Sequence, residues 1–436
     1  MITSAAWAGK RYAVLGLARS GAATVRALLA SGAEVLAWDD DWQKVRGIRD
    51  KRLEGTQLFI DDFTDWTEFE LDGLVLSPGV PLNRLPLADV AREFGIPIIG
   101  DIELFAQARP DLPAHRVVGI TGTNGKSTTT ALIAHICETA GLPTRLGGNI
   151  GLPILGQDPL PEGGVYVLEL SSYQIDLTHS LDCDVAVLLN ITPDHLDRYD
   201  GFDGYAASKA RLFAMQSTGH AAIVGIGDDA SAAVARQIAR AGRAEDLTKI
   251  APGVCMDQSR WPALQGPHNA QNALAAIAAC EALGIEAAAI DRGLESFPGL
   301  PHRMERVATV DGVLYVNDSK ATNPTSTAPA LAAFDRVHWI LGGQAKTEDL
   351  EACRPGFGHV AHAYVIGDAA PLFAQLLSGD LPVTQSGTLD QAVRDAAATA
   401  RAGDTVLLSP ACASFDQFRD FEDRGERFRS AVKALA

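Results

Sequence analysis

The chain is short of positive charge. Its 436 residues include 37 lysines and arginines against 54 aspartates and glutamates, which gives a formal net charge of −17. No segment is rich in Lys or Arg. This balance argues against nucleic acid or an anionic membrane as the main partner, because both bind basic patches. An anionic ligand must therefore be held by local donors against an unfavourable overall field.

Cysteine and long apolar runs are also scarce. The six cysteines are scattered and form no Cys-x-x-Cys pair, so we expect reduced thiols rather than disulfides. No apolar run approaches membrane-spanning length, and residues 1–10 show no signal-peptide pattern. These absences predict a soluble, cytoplasmic protein without a membrane or nucleic-acid partner, and we expect a monomer.

Strands and helices alternate along the chain, which predicts an α/β fold. A length of 436 residues is too great for one core, so we expect several domains. We place their boundaries at residues 1–99, 100–301 and 302–436. The first and third domains have Rossmann-like patterns. The central one has the pattern of a P-loop mononucleotide-binding sheet.

The most informative stretch begins with the apolar run Val117–Ile120, which predicts a buried strand. A glycine-broken turn and a helical pattern follow, and this order is typical of a phosphate-binding loop. The spacing of a standard P-loop is not met, because Ile120 stands where its first glycine belongs. The shorter version present here still predicts nucleotide binding, through Gly122, Thr123, Asn124, Gly125, Lys126, Ser127 and Thr128.

Two further strands of the central domain end in polar groups. Glu169 ends one apolar run, and Asp194 with His195 follows the next. Carboxyl ends of parallel strands share one edge of a sheet, so Glu169 is a candidate Mg2+ ligand beside the phosphate loop. Taken alone, Glu169 could be a solvated strand end and His195 a capping or core histidine. Their joint occurrence with the loop favours a ligand site.

Other polar residues give weaker signals. Lys209 lies in a helical pattern and by that pattern is a surface lysine. Asn269 and Asn272 share one face of a helix start, where they could contact a base or, more commonly, cap the helix. Near the N-terminus, Ala18 replaces the middle glycine of a dinucleotide-binding turn, which leaves NAD(P) binding as a minor alternative.

Taken together, the motifs resemble those of the Mur ligase family. They cover the central and C-terminal domains in the family's order. The N-terminal Rossmann-like domain, together with residues 77–80 (SPGV), 100–105 (GDIELF) and 408–414 (LSPACAS), narrows the resemblance to the D-glutamate-adding type. The motifs are 122–127 (GTNGKS), 147–151 (GGNIG), 169–174 (ELSSYQ), 194–197 (DHLD), 268–272 (HNAQN), 299–303 (GLPHR) and 317–323 (NDSKATN).

The resemblance implies an ATP-dependent amide-bond ligase. In this family a substrate carboxylate attacks the γ-phosphate of ATP to form an acyl phosphate, which an amine then displaces. For this chain it implies UDP-N-acetylmuramoyl-L-alanine, D-glutamate and ATP as substrates, with two Mg2+ ions, in cytoplasmic peptidoglycan precursor synthesis.

The same resemblance assigns roles to individual residues. Lys126 holds phosphates, Ser127 and Glu169 hold one Mg2+, and His195 holds a second with Lys209 as a carbamate. Adenine, phosphate and ribose positions correspond to Asn269, Asn272, Arg303 and Asp318. The UDP-muramoyl substrate would lie near Arg19, Ser20, Asp39, Ser77, Asn149, Ser171, Gln174 and His195. D-glutamate would lie near Lys320, Thr322, Lys346, Ser414, Phe415 and Phe421.

Three alternatives stay open at this stage. A sibling ligase could add another amino acid, including L-glutamate, although Thr322–Thr325 lacks the Asn-Pro-Arg motif of the diaminopimelate-adding type. The N-terminal half could belong to a dinucleotide oxidoreductase. The chain could also be a non-catalytic ATP-binding regulator, which would leave the polar strand ends unexplained. Asp41 stands where family members can carry a basic residue, so the chain departs from the family pattern at the proposed uridine site.

Overall fold

The computed structural model describes residues 1–49, 58–60, 70–194, 198–251 and 256–435. His195 and Cys255 therefore lie outside the described residues. The chain divides into two compact units, one formed by Met1–Val254 with Gln271–Leu294 and the other by Cys255–Ala270 with Glu295–Ala436. The predicted α/β class with parallel sheets is confirmed. The predicted domain boundaries remain predictions.

The first sheet contains five strands, and every described pairing in it is parallel. Its spatial order is β3-β2-β1-β4-β5. The strands are apolar on both faces because helices cover both sides of a parallel sheet. They are β1 (Arg11–Leu15), β2 (Glu34–Trp38), β3 (Leu58–Ile60), β4 (Gly73–Leu76) and β5 (Ile98–Ile99).

The second sheet has six strands in the order β11-β10-β9-β6-β8-β7, again with parallel pairings. The register pairs Ile120 with Glu169 and Thr121 with Leu188, so β6, β8 and β9 end side by side. The strands are β6 (His115–Thr121), β7 (Thr144–Gly148), β8 (Gly164–Glu169), β9 (Val185–Leu188), β10 (Ala221–Gly225) and β11 (Leu247–Ile250).

The third sheet lies in the second compact unit and has the order β12-β13-β17-β14-β15-β16. Strand β12 pairs antiparallel with β13, while the other described pairings are parallel. The strands are β12 (Glu305–Val310), β13 (Val313–Asn317), β14 (Val337–Gly342), β15 (Val360–Ile366), β16 (Val383–Gly387) and β17 (Thr405–Leu408).

Helices connect these strands. No helix in the described ranges combines the length and apolar character needed to cross a membrane. Their bounds are α1 (Arg19–Ala30), α2 (Trp42–Arg49), α3 (Pro86–Glu93), α4 (Asp101–Ala108), α5 (Lys126–Thr139), α6 (Ser172–Asp176), α7 (Gly201–Ala214), α8 (Asp229–Ile238), α9 (Pro267–Ala282), α10 (Ala287–Ser296), α11 (Pro324–Leu331), α12 (Ala370–Leu377), α13 (Leu389–Thr399) and α14 (Phe421–Lys433).

The cores follow the sheets. One apolar cluster runs from Ile2 to Ile238 and joins the first and second sheets within a single compact unit. The third sheet separates two clusters, since Trp339 and Leu341 belong to one and Ile340 to the other. Successive side chains of a strand point to opposite faces, so this alternation shows that both faces are covered.

Candidate active site

The phosphate loop has the backbone that its glycines predict. Gly122 and Gly125 have φ angles of +149° and +86°, a region that side chains with a Cβ rarely adopt. A Cβ added at Gly125 would also collide with the side-chain oxygen of Asn272. Helix α5 starts at Lys126 directly after the turn. Its N-terminal N–H groups and dipole form a site for an anion.

The lysine of the loop points back over the turn. Nζ of Lys126 donates to the carbonyl oxygens of Gly122 at 2.9 Å and Thr123 at 2.8 Å. Ser127 is buried in the first turn of α5, while Thr128 is half-buried. The lysine and the hydroxyl thus stand at the same end of the helix, as the sequence predicts for phosphate and metal binding.

An asparagine that the sequence did not single out holds the loop in place. The side-chain oxygen of Asn190 accepts from the N–H of Asn124 at 2.8 Å, and its amide donates to the Asn124 carbonyl at 3.1 Å. The Asn190 carbonyl also accepts from the N–H of Thr123 at 2.9 Å. Asn190 follows β9, so the neighbouring strand fixes the tip of the phosphate loop.

Glu169 lies at the predicted sheet edge and is buried. Oε1 accepts a hydrogen bond from Nδ2 of Asn149 at 2.9 Å. Oε2 is also buried and has no hydrogen-bond partner among the described residues. A buried carboxylate oxygen without a partner is costly, and a cation offsets that cost. Glu169 therefore fits the role of a Mg2+ ligand, while His195 lies outside the described residues.

The described residues contain no cluster of three or more histidine, cysteine or acidic side chains arranged for a metal. The chemistry of the proposed donors nevertheless suits Mg2+, which prefers one or two carboxylates and completes its shell with water and phosphate oxygens. The unpartnered oxygen of Glu169 and the hydroxyl of Ser127 are ligands of that kind.

The expectation that Lys209 lies on the surface is wrong. Its side chain is 1% exposed, and Nζ donates to the carbonyl of Gly122 at 2.9 Å. Nζ also lies 4.6 Å from the ring centre of Tyr205, whose hydroxyl is 3.2 Å from Oγ1 of Thr123. Burial lowers the pKa of Lys209 well below its ordinary value, and the nearby charge of Lys126 lowers it further. The helical pattern did not predict the burial of Lys209, because this polar residue lies on the face of α7 that packs against the phosphate loop.

Two residues proposed near the muramoyl substrate bond to each other. Ser171 caps α6: its hydroxyl accepts from the N–H of Gln174 at 3.3 Å, and Oε1 of Gln174 accepts from the N–H of Ser171 at 3.1 Å. Both side chains follow the end of β8, the strand that carries Glu169. A local helix cap therefore fixes their position beside the candidate metal ligand.

In the first sheet, two of the proposed residues follow the carboxyl ends of β4 and β2, the strands on either side of β1. Oγ of Ser77 donates to the Gly16 carbonyl at 2.6 Å, and Asp39 accepts from the N–H of Leu17 at 2.7 Å. Burial alone would raise the pKa of Asp39, but the N–H groups of Asp41 and Leu17, with Lys44, bring it below its ordinary value. Asp39 therefore stabilises the turn after β1.

The first turn of α1 reaches the central sheet. The guanidinium of Arg19, an exposed residue, donates to the carbonyl of Gly151 at 3.1 Å. Ser20 is half-buried in the same turn. Gly151 lies shortly after Asn149, so the proposed substrate residues of both sheets meet within this compact unit.

The asparagine pair does not cap its helix. Helix α9 begins at Pro267, which places Asn269 and Asn272 inside its first two turns, where both are buried. Nδ2 of Asn269 donates to the carbonyl of Gln265 at 3.1 Å. The side chain of Asn272 lies against Gly125 of the phosphate loop. The capping alternative is therefore wrong, and Asn272 lies next to the proposed phosphate site.

In the third sheet, Asp318 is a buried carboxylate after β13. It accepts from Oγ of Ser409 at 2.8 Å and from the N–H of Met304 at 3.2 Å. Burial raises the pKa of Asp318 to about 7, although Ser409, Met304 and the charge of Arg303 act in the opposite direction. A carboxylate in this state titrates near neutrality and can accept hydrogen bonds from ligand hydroxyls.

Five of the six residues predicted for the amino acid lie in three neighbouring loops, and the sixth, Phe421, begins α14. Nζ of Lys320 lies 3.9 Å from the ring centre of Phe421, and Nζ of Lys346 donates to Oγ1 of Thr322 at 3.5 Å. Gln344 and Ala413 exchange two backbone hydrogen bonds of 2.9 and 3.0 Å, which joins the loop of Lys346 to that of Ser414. Ser414 is buried, whereas Phe415 is 68% exposed.

The chain is similar to known proteins over its whole length. A model of the Mur ligase middle domain matches residues 120–251, and a model of the Mur ligase glutamate ligase domain matches residues 302–412. A protein of Novosphingobium aromaticivorans is 61% identical over 436 residues, covering all of this chain and 97% of the relative. One of Sphingopyxis alaskensis is 59% identical over 443 residues, covering all of both chains.

Solved structures agree on the fold. UDP-N-acetylmuramate-alanine ligase of Thermotoga maritima matches with a TM-score of 0.59 at 15% identity, covering 98% of this chain and 100% of the other. MurF of Acinetobacter baumannii also gives 0.59, at 18% identity, covering 100% of this chain and 92% of the other. Identities this low support a shared fold alone.

The chain belongs to the Mur ligase family and is a ligase, which confirms the resemblance seen in the motifs. Both of the relatives described above are named UDP-N-acetylmuramoylalanine–D-glutamate ligase. The chain is therefore similar over its whole length to relatives that carry this name.

Proposed function

We propose that this enzyme adds D-glutamate to UDP-N-acetylmuramoyl-L-alanine, using ATP, through an acyl-phosphate intermediate in peptidoglycan precursor synthesis. The observation that carries the proposal is 61% identity over the full chain to a relative named for this reaction. We also propose that the enzyme acts in the cytoplasm, since its proposed substrates are soluble nucleotides and an amino acid. We propose further that it is a monomer with three domains, at residues 1–99, 100–301 and 302–436.

The phosphate loop and Lys126 would bind the phosphates of ATP and neutralise them while the substrate carboxylate attacks. A carboxylate is a poor electrophile until one of its oxygens becomes a good leaving group, and phosphorylation provides this. Two anions must meet in that step, so local cations and N–H donors supply most of the catalysis. The loop amides and Lys126 are donors of that kind.

Magnesium would be held by Glu169, Ser127, His195 and Lys209 as a carbamate, and when bound it would neutralise phosphate charge and orient ATP. The buried, unpartnered Oε2 of Glu169 supports this assignment. For Lys209, burial favours the neutral amine, which is the form that reacts with carbon dioxide. Carbon-13 bicarbonate would give a carbamate signal in the wild type that is missing from Lys209→Met.

Substrate contacts would divide among the loops. Asp318, Arg303, Asn269, Asn272 and Thr128 would contact ATP. Arg19, Ser20, Asp39, Ser77, Asn149, Ser171 and Gln174 would contact the UDP-muramoyl substrate. Lys320, Thr322, Lys346, Ser414, Phe415 and Phe421 would contact D-glutamate. Lysines and hydroxyls suit an amino acid with two carboxylates, since they supply charge-assisted hydrogen bonds.

An amino-acid panel tests the proposal. We expect ADP and phosphate release only when Mg2+, ATP, UDP-N-acetylmuramoyl-L-alanine and D-glutamate are all present. L-glutamate, glycine and meso-diaminopimelate serve as comparisons in the same assay. Equal turnover without any amino acid, or faster turnover with another member of the panel, would contradict the proposed reaction.

A further inference from the structure

A buried arginine lies behind the loops of the third sheet. Arg424 is on the first turn of α14 and is completely buried. Its guanidinium donates only to neutral oxygens, and no ion pair involves it in the described part of the chain. A buried charge of this kind is costly unless every donor is satisfied. Stability of the fold therefore requires that every N–H donor of Arg424 has an acceptor.

All five N–H donors of the guanidinium have acceptors. Nε donates to Oγ of Ser319 at 3.0 Å, and Nη2 donates to the carbonyls of Ser319 at 2.9 Å and Cys412 at 3.0 Å. Nη1 donates to the carbonyls of Ala413 at 3.2 Å and Gly342 at 3.5 Å. The planar fork thus joins three separate backbone segments.

Those three segments follow neighbouring strands. Ser319 comes after β13, Gly342 ends β14, and Cys412 with Ala413 follows β17, in a sheet where β17 lies between β13 and β14. Burial lowers the pKa of Arg424 to about 10, so the side chain stays protonated at neutral pH and keeps all its donors. One side chain therefore fixes the spacing of three strand-end loops.

The same three loops carry five of the six residues proposed for D-glutamate, and the sixth, Phe421, begins α14. Lys320 is adjacent to Ser319, Lys346 follows Gly342 in the next loop, and Ser414 is adjacent to Ala413. Oγ of Ser319 also donates to the carbonyl of Phe421 at 2.8 Å, in the turn of α14 that carries Arg424. We propose that Arg424 is a positioning residue that sets the geometry of the amino-acid subsite. This inference rests on the proposed function.

Lysine cannot replace the fork, because its ammonium is a point charge that cannot span three segments. In Arg424→Lys we therefore expect KM for D-glutamate to rise by about 10- to 100-fold, since small misplacements of binding groups are costly. KM for UDP-N-acetylmuramoyl-L-alanine should change less than about twofold, because its proposed residues lie in the other compact unit.

Arg243→Lys is the control for the loss of a buried arginine, and Arg243 differs from Arg424 in also forming an ion pair with Asp246 at 3.2 Å. Arg243 is also buried and also donates to backbone carbonyls, those of Phe213 at 3.0 Å and His220 at 2.7 Å, but it lies in the other compact unit. This variant should lose thermal stability without a change in KM for D-glutamate. An unchanged D-glutamate KM in folded Arg424→Lys, or an equal rise in the KM values of all substrates, would overturn the proposal.

If Arg424→Lys does not fold, Ser319→Ala carries the test, because it removes one acceptor and leaves the guanidinium in place. We then expect a rise of about threefold in the D-glutamate KM, and no change would overturn the proposal. Hydrogen exchange separates this inference from the proposed reaction. If the wild type does not use D-glutamate, the positioning role of Arg424 can still be tested. Faster hydrogen exchange at residues 318–323, 342–346 and 411–415 in whichever of the two variants folds supports that role. Unchanged exchange at these residues refutes it.

Discussion

Replacing Asp318 by asparagine should stabilise the protein, and the gain should grow with pH. The carboxylate is buried, and burial raises its pKa from 3.8 to about 7. Below both the unfolded and the folded pKa, the group is protonated in both states and costs nothing. As pH rises from about 4 to 7, the unfolded chain loses this proton first, so folding becomes less favourable.

The size of the effect follows from the shift. Each pKa unit corresponds to about 1.4 kcal/mol, so the ionised carboxylate destabilises the fold by about 4 kcal/mol above pH 7. Asparagine keeps an acceptor for the Met304 N–H and can donate to Ser409. Relative to the wild type, Asp318→Asn should gain on the order of 10 °C in Tm at about pH 8 and almost nothing at about pH 4.

Scanning calorimetry without nucleotide across this pH range measures the difference. Asp404→Asn is the matched control, since its carboxylate is buried in the same sheet but contacts His338 at 3.1 Å, and its pKa lies below the ordinary value. That variant should lose stability near neutral pH. A Tm difference for Asp318→Asn that does not change with pH, or that grows toward acid, would refute the reasoning.

Three other variants follow from the same structure. Asp101→Asn should also raise the stability of the protein, by about 3 kcal/mol above pH 6 and less at lower pH, because burial raises the pKa of Asp101 to about 6. A Tm difference from the wild type that does not change with pH would contradict this. Glu169→Gln should lower kcat by about 100-fold or more and raise the Mg2+ concentration needed for half-maximal rate, with Tm little changed; an unaltered Mg2+ titration would argue against the metal assignment. Asn190→Ala should raise KM for ATP by up to about 30-fold, because it removes two hydrogen bonds to Asn124 worth about 1 kcal/mol each; an unchanged ATP KM would show that the loop keeps its conformation without these bonds.

Local sequence patterns predicted the parts of the fold that depend on local chemistry. Val117–Ile120 predicted a buried strand, and β6 covers His115–Thr121. The glycines predicted the turn, and α5 begins at Lys126 as the Lys-Ser pair indicated. The carboxyl ends of parallel strands meet at one edge, which is why Glu169 could be placed beside the loop before its contacts were known.

Local sequence patterns could not predict contacts between segments that are distant in the sequence. Burial of Lys209 depends on contact between α7 and the phosphate loop, distant in sequence, and a lysine in a helical pattern gives no sign of it. Arg424 also resembles a surface residue until α14 packs on three loops. Edge strands such as β16 give little pattern in the sequence, because Val383–Gly387 is short, polar and partly exposed.

Transfer of labelled oxygen tests the central claim most directly. UDP-N-acetylmuramoyl-L-alanine with oxygen-18 in both oxygens of its free carboxylate is turned over with ATP, Mg2+ and D-glutamate, and the released phosphate is analysed by mass spectrometry. The acyl-phosphate route predicts one labelled oxygen in each phosphate released and the other in the new amide. Phosphate free of label, formed at the same rate as product, would contradict the account.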